Sequence, residues 1–248
     1  MPASYLHCDA IQPSRARPCD AGIMWNPAAL PSPLWVLGTG TGVGKTHVSG
    51  RIARAWSAWT PVTYRKPFQT GVDRADHPEA DATAVRGPGI HAESHILLEA
   101  PLSPLAAARR EGRALDLKAT AAWCRRPAEG RILLEGVGGL MVPLAPGVHF
   151  LAWASNWDAP PAPPVPGSAA GACLRPVDRG RIPCVLVALA GLGTLNHTLL
   201  SAEALMLRGW RIEAVLLNPG ADGTDAAAAA ENAALLREFL PVPVEVLD

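Results

Sequence analysis

The segment that most constrains the fold is residues 38–46, with the sequence GTGTGVGKT. It follows a short apolar run at 34–37, which indicates a buried strand, and it precedes apolar positions with helical spacing that extend to residue 59. Glycines let a backbone turn closely, so that its N–H groups point at an anion, and the start of the following helix adds partial positive charge. A strand, a glycine-rich turn and a helix in this order predict a phosphate-binding loop.

Two side chains at the end of this loop suit a nucleoside triphosphate with a divalent metal. Lys45 would neutralise the β- and γ-phosphates, and the hydroxyl of Thr46 would bind Mg²⁺. The strict motif would place its first glycine at Thr39, whereas here five residues separate Gly38 from Gly44. A glycine-rich turn that binds nothing therefore stays as the alternative.

The rest of the chain alternates between short apolar runs and helical patterns. This alternation predicts an α/β fold of three layers, similar to P-loop NTPases, with a mostly parallel sheet and helices on both faces. Ser103 and Asp116 are candidate helix caps. The predicted strands are 34–37, 62–66, 96–98, 132–134, 183–190, 212–217 and 242–246, and the predicted helices are 45–59, 79–86, 103–110, 116–125, 195–207 and 226–239.

Two stretches do not follow this alternation. Residues 1–33 mix Pro, Arg, Cys and Ala without a compact apolar run, so we expect a loose N-terminal extension rather than a secretory signal, with Met24 as a candidate start. Residues 158–181 are rich in proline and glycine, which predicts a surface insertion. We therefore expect a single domain at 34–248 that carries this insertion.

Charge and cysteine content argue against several classes of partner and site. Lys plus Arg and Asp plus Glu both number 22, and no long basic run occurs, which disfavours nucleic acid or an anionic membrane as the main partner. No apolar run approaches the roughly 20 residues of a membrane helix. The five cysteines are scattered without a C-x-x-C pair, which favours a reduced, cytoplasmic setting over a disulfide framework.

The loop and five further blocks, in this order along the chain, resemble the dethiobiotin synthetase family over about residues 34–220. The loop with one extra residue is typical of that family. The other blocks are KPFQTG at 66–71, EADAT at 79–83, Ser103-Pro104 followed by EGR at 111–113, LEGVGG at 134–139, and GLGTLNHT at 191–198. The resemblance implies a homodimeric enzyme of biotin biosynthesis. Such an enzyme closes the ureido ring from 7,8-diaminopelargonate, CO₂ or bicarbonate, and ATP with Mg²⁺, through a carbamate and a carbamic phosphate.

The resemblance also assigns roles to single residues of this chain. Lys66 and Lys45 would be catalytic, and Lys66 would hold the carbamate and the γ-phosphate. The implied magnesium ligands are Thr46, Asp81 and Glu135. The implied nucleotide-binding residues are Gly42, Val43, Gly44, Lys45, Thr46, His47, Asp81, Glu135, Gly136, Val137, Gly138 and Asn218. The implied substrate-binding residues are Thr41, Thr70, Gly193, Thr194 and Asn196, the last three serving a neighbouring subunit.

Local sequence offers a plainer explanation for most of these positions. Those explanations are a surface lysine at Lys66, a turn residue at Thr70, a helix-start acid at Asp81, a strand end at Glu135, helix capping at Thr194 and Asn196, and a turn at Asn218.

The chain also departs from the family pattern. Gly40 and Pro219 stand where the family usually has aspartate, and the family commonly continues beyond the position of Asp248. These changes predict weak discrimination between ATP and other triphosphates. Three alternatives stay open: an amide-forming P-loop enzyme, a partition-type switch ATPase, and a catalytically weakened relative. The first class usually carries a glutamine-hydrolysing domain, for which the chain has no room. The second carries an extra lysine at the position of Gly40.

Overall fold

The computed structural model describes residues 25–156 and 182–248. The predicted insertion at 158–181, the candidate start at Met24 and residues 1–24 of the expected extension lie outside the described residues. No helix in the described ranges is long and apolar enough to cross a membrane.

Strands and helices alternate along most of the described chain, as the sequence predicts. The strands are β1 (Leu34–Gly38), β2 (Val62–Thr70), β3 (Ile90–Leu98), β4 (Arg131–Glu135), β5 (Pro143–Ala145), β6 (Val148–His149), β7 (Ile182–Leu189), β8 (Trp210–Asn218) and β9 (Val244–Val246). The α-helices are α1 (Lys45–Ser57), α2 (Asp81–Val85), α3 (Pro104–Arg110), α4 (Leu117–Cys124), α5 (Phe150–Ala154), α6 (Thr194–Leu207) and α7 (Ala226–Phe239).

Seven of the strands form one sheet in the order β3-β2-β4-β1-β7-β8-β9. Every neighbouring pair in this sheet is parallel, and β5 and β6 form a separate antiparallel pair. The predicted α/β class with a mostly parallel sheet is therefore confirmed. Because all seven strands run the same way, the loops that follow them gather at one edge of the sheet, where ligands bind in folds of this kind.

The central strand β1 shows why the fold has three layers. All of its residues are buried. Trp35 and Leu37 pack into one apolar core with α4, α5, α6 and α7, whereas Leu34 and Val36 pack into a second core with α1 and α2. Successive strand residues point to opposite faces, so this alternation places an apolar core and helices on each face of the sheet.

Three local predictions need correction. β3 begins at Ile90 rather than residue 96, because an edge strand tolerates polar residues such as the exposed His91 and the half-buried Glu93. The short hairpin β5–β6 and helix α5 were not predicted, since such short elements carry little periodicity. Asp116 caps α4 by accepting a hydrogen bond from the Ala119 N–H at 2.8 Å, whereas the Ser103 side chain makes no cap bond to α3.

Residues 25–33 also differ from the expected loose extension. The Trp56 indole N–H donates to the Pro27 carbonyl at 2.8 Å. The Arg131 guanidinium stacks over the Trp56 ring and donates to the Ala28 and Leu30 carbonyls. This segment therefore packs against the start of β4 and the C-terminal half of α1, at the sheet edge opposite the glycine-rich loop.

Candidate active site

The loop after β1 has the shape that its glycines allow. Gly42 and Gly44 have positive φ angles of 75° and 97°, and α1 begins directly after Gly44. At the end of β8, the Asn218 amide N–H₂ donates to the Val43 carbonyl at 3.1 Å. The Lys45 ammonium folds back and donates to the Gly40 carbonyl at 2.8 Å. The loop is therefore held from both sides around the N-terminus of α1, where backbone N–H groups are free to bind an anion.

Four predicted site residues come together beside this loop, although they lie on four different elements. Thr46 is on α1, Lys66 on β2, Asp81 at the start of α2 and Glu135 at the end of β4. The Lys66 ammonium lies 2.6 Å from Asp81 Oδ2 and 2.6 Å from Glu135 Oε1. The Thr46 hydroxyl lies 2.8 Å from Asp81 Oδ1 and 3.0 Å from Glu135 Oε1, and its single proton can serve one of them at a time.

The charges in this cluster stabilise one another. Burial alone would lower the pKa of Lys66, but the nearby Glu135 and Asp81 carboxylates outweigh it and raise that pKa above its ordinary value. Burial would likewise raise the pKa of Asp81, but the Lys66 charge and the hydrogen bonds from Lys66 and Thr46 lower it. Lys66 is therefore an ammonium and Asp81 a carboxylate at neutral pH.

Lys45 has a different environment from Lys66. Burial, and then repulsion from the Lys66 charge, lower the pKa of Lys45 to about 8. A polyphosphate beside it would favour the charged form, since an opposite charge within a few ångströms stabilises an ammonium. Two buried cations thus face a place that suits a multiply charged anion.

The cluster forms one end of a cavity of about 630 Å³. Lys45, Lys66 and the oxygen atoms of the cluster form its polar end, and Thr41, Gly42 and Gly138 also line it. The other walls include Thr70 and are otherwise largely apolar, from Phe68, Pro101, Leu102, Pro104, Val137 and Val142. Such a cavity can hold an anion at one end and a hydrocarbon chain at the other.

The oxygen atoms of the cluster are chemically suited to Mg²⁺. A threonine hydroxyl and two carboxylates supply hard oxygen donors, which this ion prefers, and the ion usually completes its coordination with phosphate oxygens and water. One oxygen of Asp81 and one of Glu135 already lie within 3.0 Å of the Thr46 hydroxyl. These three residues could therefore hold a magnesium ion against a phosphate bound in the loop.

Other predicted nucleotide-binding residues lie beside the cluster, within the loop or next to it. Gly136 accepts a hydrogen bond from Lys66 through its carbonyl at 3.0 Å. Val43, within the loop, is buried, and His47, on α1, is exposed. A side chain at Gly44 would meet the Asn218 amide, with a Cβ only 2.1 Å from Nδ2. Asn218 thus lies against the loop on the side away from Lys66.

Gly193, Thr194 and Asn196 are not brought to this cavity within the chain. Gly193 and Asn196 are exposed at the start of α6. The Thr194 hydroxyl donates to the Leu189 carbonyl at 2.5 Å, and its N–H donates to the Gly191 carbonyl at 3.1 Å. No side-chain cap bond forms at this helix start, so the capping explanation from the sequence is wrong here.

Three contributors to the site were missed by sequence reasoning. Ser49 and Tyr64 donate to Glu135 Oε2 at 2.7 and 2.9 Å, and the Gln69 side-chain oxygen accepts from the Asp81 N–H at 3.2 Å. Ser49 lies three residues after Thr46 on a helix, and Tyr64 two residues before Lys66 on a strand. Both spacings put side chains on a common face, so periodicity around the predicted residues could have identified them.

The chain is similar in sequence to known proteins. A family model described as an AAA domain matches residues 33–161. The ATP-dependent dethiobiotin synthetase BioD of Paramagnetospirillum magneticum is 34% identical over 186 residues, which cover 75% of each chain. Its namesake from Anaeromyxobacter dehalogenans is 36% identical over 191 residues, again 75% of each chain. The protein of the same name from Rhodopseudomonas palustris is 36% identical over 184 residues, 72% of this chain and 71% of its own. The resemblance predicted from the motifs is confirmed: the chain belongs to the ATP-dependent dethiobiotin synthetase family.

Proposed function

We propose that this protein forms dethiobiotin from 7,8-diaminopelargonate, CO₂ and ATP in biotin biosynthesis. The observation that carries the proposal is the cluster of Thr46, Lys66, Asp81 and Glu135 beside the glycine-rich loop, at the polar end of a cavity with apolar walls. The polar end suits the triphosphate and the reacting carbamate. The apolar walls suit the hydrocarbon chain of the diamine substrate.

Positioning and charge stabilisation account for most of the catalysis in phosphoryl transfer. The N–H groups of the loop and of the start of α1 bind the β- and γ-phosphates, and Lys45 neutralises them. Thr46, Asp81 and Glu135 would hold Mg²⁺, which would supply positive charge to the phosphate oxygens. Lys66 faces the same point from β2, so that its ammonium binds both the carbamate and the γ-phosphate.

The proposed reaction has three chemical steps. One substrate amine attacks CO₂ and loses a proton, which gives a carbamate. A carbamate oxygen then attacks the γ-phosphorus and ADP leaves, which gives a carbamic phosphate. The second amine attacks the carbonyl carbon, loses a proton and expels inorganic phosphate, which closes the ring. Negative charge builds up on the transferred group during these steps, and Lys66 and Lys45 stabilise it.

A reconstituted assay tests the proposal. The purified protein is given diaminopelargonate, ATP, Mg²⁺ and ¹³C-labelled bicarbonate, and the products are identified by mass spectrometry. We expect dethiobiotin with one labelled carbon and one phosphate released per ring closed, and no product after chelation of the metal. ATP hydrolysis that does not depend on diaminopelargonate, without any dethiobiotin, would instead support a switch ATPase.

The proposal includes a homodimer. Gly193 and Asn196 lie exposed at the start of α6, away from the cavity of their own chain. On the same helix and the turn before it, Leu192, Leu200 and Leu207 expose 108%, 58% and 75% of their surface. Such an apolar surface is typical of a subunit interface. We propose that two copies pair through it, and that residues 193–196 of each copy bind the substrate carboxylate in the other copy's cavity.

Substitution Leu207→Glu is expected to weaken dimerisation by at least roughly tenfold, because it places a charge in the proposed interface. Sedimentation velocity over a range of concentrations measures this effect. The KM for diaminopelargonate should rise in parallel. Trp59→Glu is the matched control, since Trp59 is 83% exposed and follows α1, which packs on the other face of the sheet from α6. Equal dimerisation of wild type and Leu207→Glu would exclude this surface as the interface.

A further inference from the structure

The two oxygens of the Glu135 carboxylate have different surroundings. The side chain is fully buried at the end of β4. Oε1 lies 2.6 Å from the Lys66 ammonium and 3.0 Å from the Thr46 hydroxyl, on the side of the cavity. Oε2 points the other way and accepts from the Ser49 and Tyr64 hydroxyls at 2.7 and 2.9 Å. One oxygen therefore contacts two residues that line the cavity, Thr46 and Lys66, and the other contacts two residues that do not.

Packing alone does not require either hydroxyl. Tyr64 and Ser49 are both completely buried, and phenylalanine and alanine would fill nearly the same space. A buried hydroxyl without a partner is destabilising, and here Glu135 Oε2 accepts a hydrogen bond from each of the two hydroxyls.

The number of carboxylate oxygens that reach a metal affects which ion is bound. Ca²⁺ takes 6–8 oxygen ligands and accepts a carboxylate through both oxygens, whereas Mg²⁺ requires a compact octahedral arrangement and usually binds each carboxylate through one. A Glu135 free to rotate could offer both oxygens. Hydrogen bonds to Oε2 from two elements, α1 and β2, prevent that rotation.

We infer that Ser49 and Tyr64 are positioning residues that hold Glu135 so that only Oε1 reaches the metal, which favours Mg²⁺ over Ca²⁺. The inference rests on the proposed function, because it takes Thr46, Asp81 and Glu135 as the metal ligands. The same two hydrogen bonds keep the carboxylate in place when Lys66 turns from Glu135 toward the substrate anions. Neither residue touches the nucleotide or the substrate in this scheme.

Metal binding, measured apart from catalysis, tests the inference. Calorimetric titrations give the affinities of Mg²⁺ and Ca²⁺ for the full chain saturated with the non-hydrolysable imido analogue of ATP. The variants are Tyr64→Phe, Ser49→Ala and the double variant. We expect Mg²⁺ affinity to fall about 10- to 100-fold in the double variant, as is usual when partners of a ligating residue are lost. Ca²⁺ affinity should fall less, so that the preference for Mg²⁺ shrinks.

Ser155→Ala is the matched control for loss of a buried hydroxyl. Ser155 is buried, and its hydroxyl donates to the Leu151 carbonyl at 2.7 Å, remote from the cavity. This variant should keep the wild-type metal preference. In steady-state assays, the Tyr64→Phe protein should need more Mg²⁺ for half-maximal rate and recover kcat when Mg²⁺ is in excess. If Tyr64→Phe fails to fold, as shown by circular dichroism, Ser49→Ala carries the same test.

Failure of the inference and failure of the proposed function look different. Unchanged Mg²⁺ and Ca²⁺ affinities in the double variant, with dethiobiotin formed by the wild type, would overturn the positioning role alone. An equal loss of Mg²⁺ preference in Ser155→Ala would also overturn it, since the effect would then be general. Absence of dethiobiotin and of metal-dependent binding in the wild type would overturn the proposed function and the inference together.

Discussion

Substitution Lys66→Ala is expected to slow dethiobiotin formation by about 10²- to 10³-fold, the usual cost of losing one preorganised group that stabilises transition-state charge. The ammonium lies 2.6 Å from both carboxylates of the proposed metal site, at the place where the carbamate and the γ-phosphate would meet. Without it, negative charge on the transferred group faces Asp81 and Glu135 with less compensation. Product formation under single-turnover conditions measures the loss, because it isolates the chemical steps from product release.

The same substitution should also destabilise the protein. Lys66 is almost fully buried between two carboxylates, and removing one partner of a buried ion pair typically costs about 3–5 kcal/mol. Urea unfolding measures this, and Mg²⁺ should restore part of the loss by replacing the missing positive charge.

Arg65→Ala is the matched control for Lys66→Ala. Arg65 is the neighbouring residue on β2, is equally buried, and pairs with Glu93 at 2.9 Å on the other face of the sheet. The Arg65→Ala variant should be less stable than the wild type, but each folded molecule should form dethiobiotin at the wild-type rate. A Lys66→Ala protein within tenfold of the wild-type rate, or a rate loss as large in Arg65→Ala, would show that Lys66 has no special part in the chemistry.

Substitution Gly44→Ala is expected to remove most nucleotide binding, with an affinity loss on the order of 10²-fold. Two effects combine. A residue with a side chain pays about 1–2 kcal/mol for the left-handed conformation at φ 97°, and its Cβ would lie 2.1 Å from the Asn218 amide nitrogen. Asn218 must then move and give up its hydrogen bond to the Val43 carbonyl, which holds the loop. Titration with the imido analogue of ATP measures the affinity.

Gly112→Ala separates backbone strain from the loss of the loop. Gly112 has a positive φ of 64°, and no atom lies within 4 Å of where its Cβ would be. This control should lose a similar amount of conformational stability while it binds the nucleotide analogue as the wild type does. If Gly44→Ala binds with wild-type affinity, the loop does not hold the phosphates in the proposed way.

The parts of the fold that were predicted correctly depend on local sequence. The apolar run of β1, the glycines and the helical spacing after Lys45 lie next to one another in the chain, so their arrangement follows from short-range rules. The strand order was not predicted, because it depends on which apolar faces pack together over long separations. The insertion of β4 between β2 and β1 is of this kind, and it is what brings Glu135 beside Lys66.

The site residues likewise divide into those that local sequence predicts and those that depend on long-range packing. Lys66 and Glu135 were predicted from the family resemblance and from expected strand ends, where parallel sheets gather their ligands. Glu135 does end β4, but the expected end at Lys66 was wrong, because β2 continues to Thr70. The hydrogen bonds of Glu135 with Thr46, Ser49 and Tyr64 depend on the register of β2 against β4 and on the rotation of α1, which no local pattern specifies. The position of residues 193–196 away from the cavity was likewise beyond the local sequence, since a role in a partner's site depends on a second chain.

A crystal structure of the protein with Mg²⁺ and the imido analogue of ATP tests the central proposal most directly. We expect the β- and γ-phosphates to lie within the loop at 38–46, with the metal about 2.0–2.1 Å from the Thr46 hydroxyl oxygen and Glu135 Oε1. Asp81 should lie in the same coordination sphere, and Lys66 should point at the γ-phosphate. A metal bound away from Thr46 and Glu135, or a Lys66 side chain turned from the γ-phosphate, would contradict it.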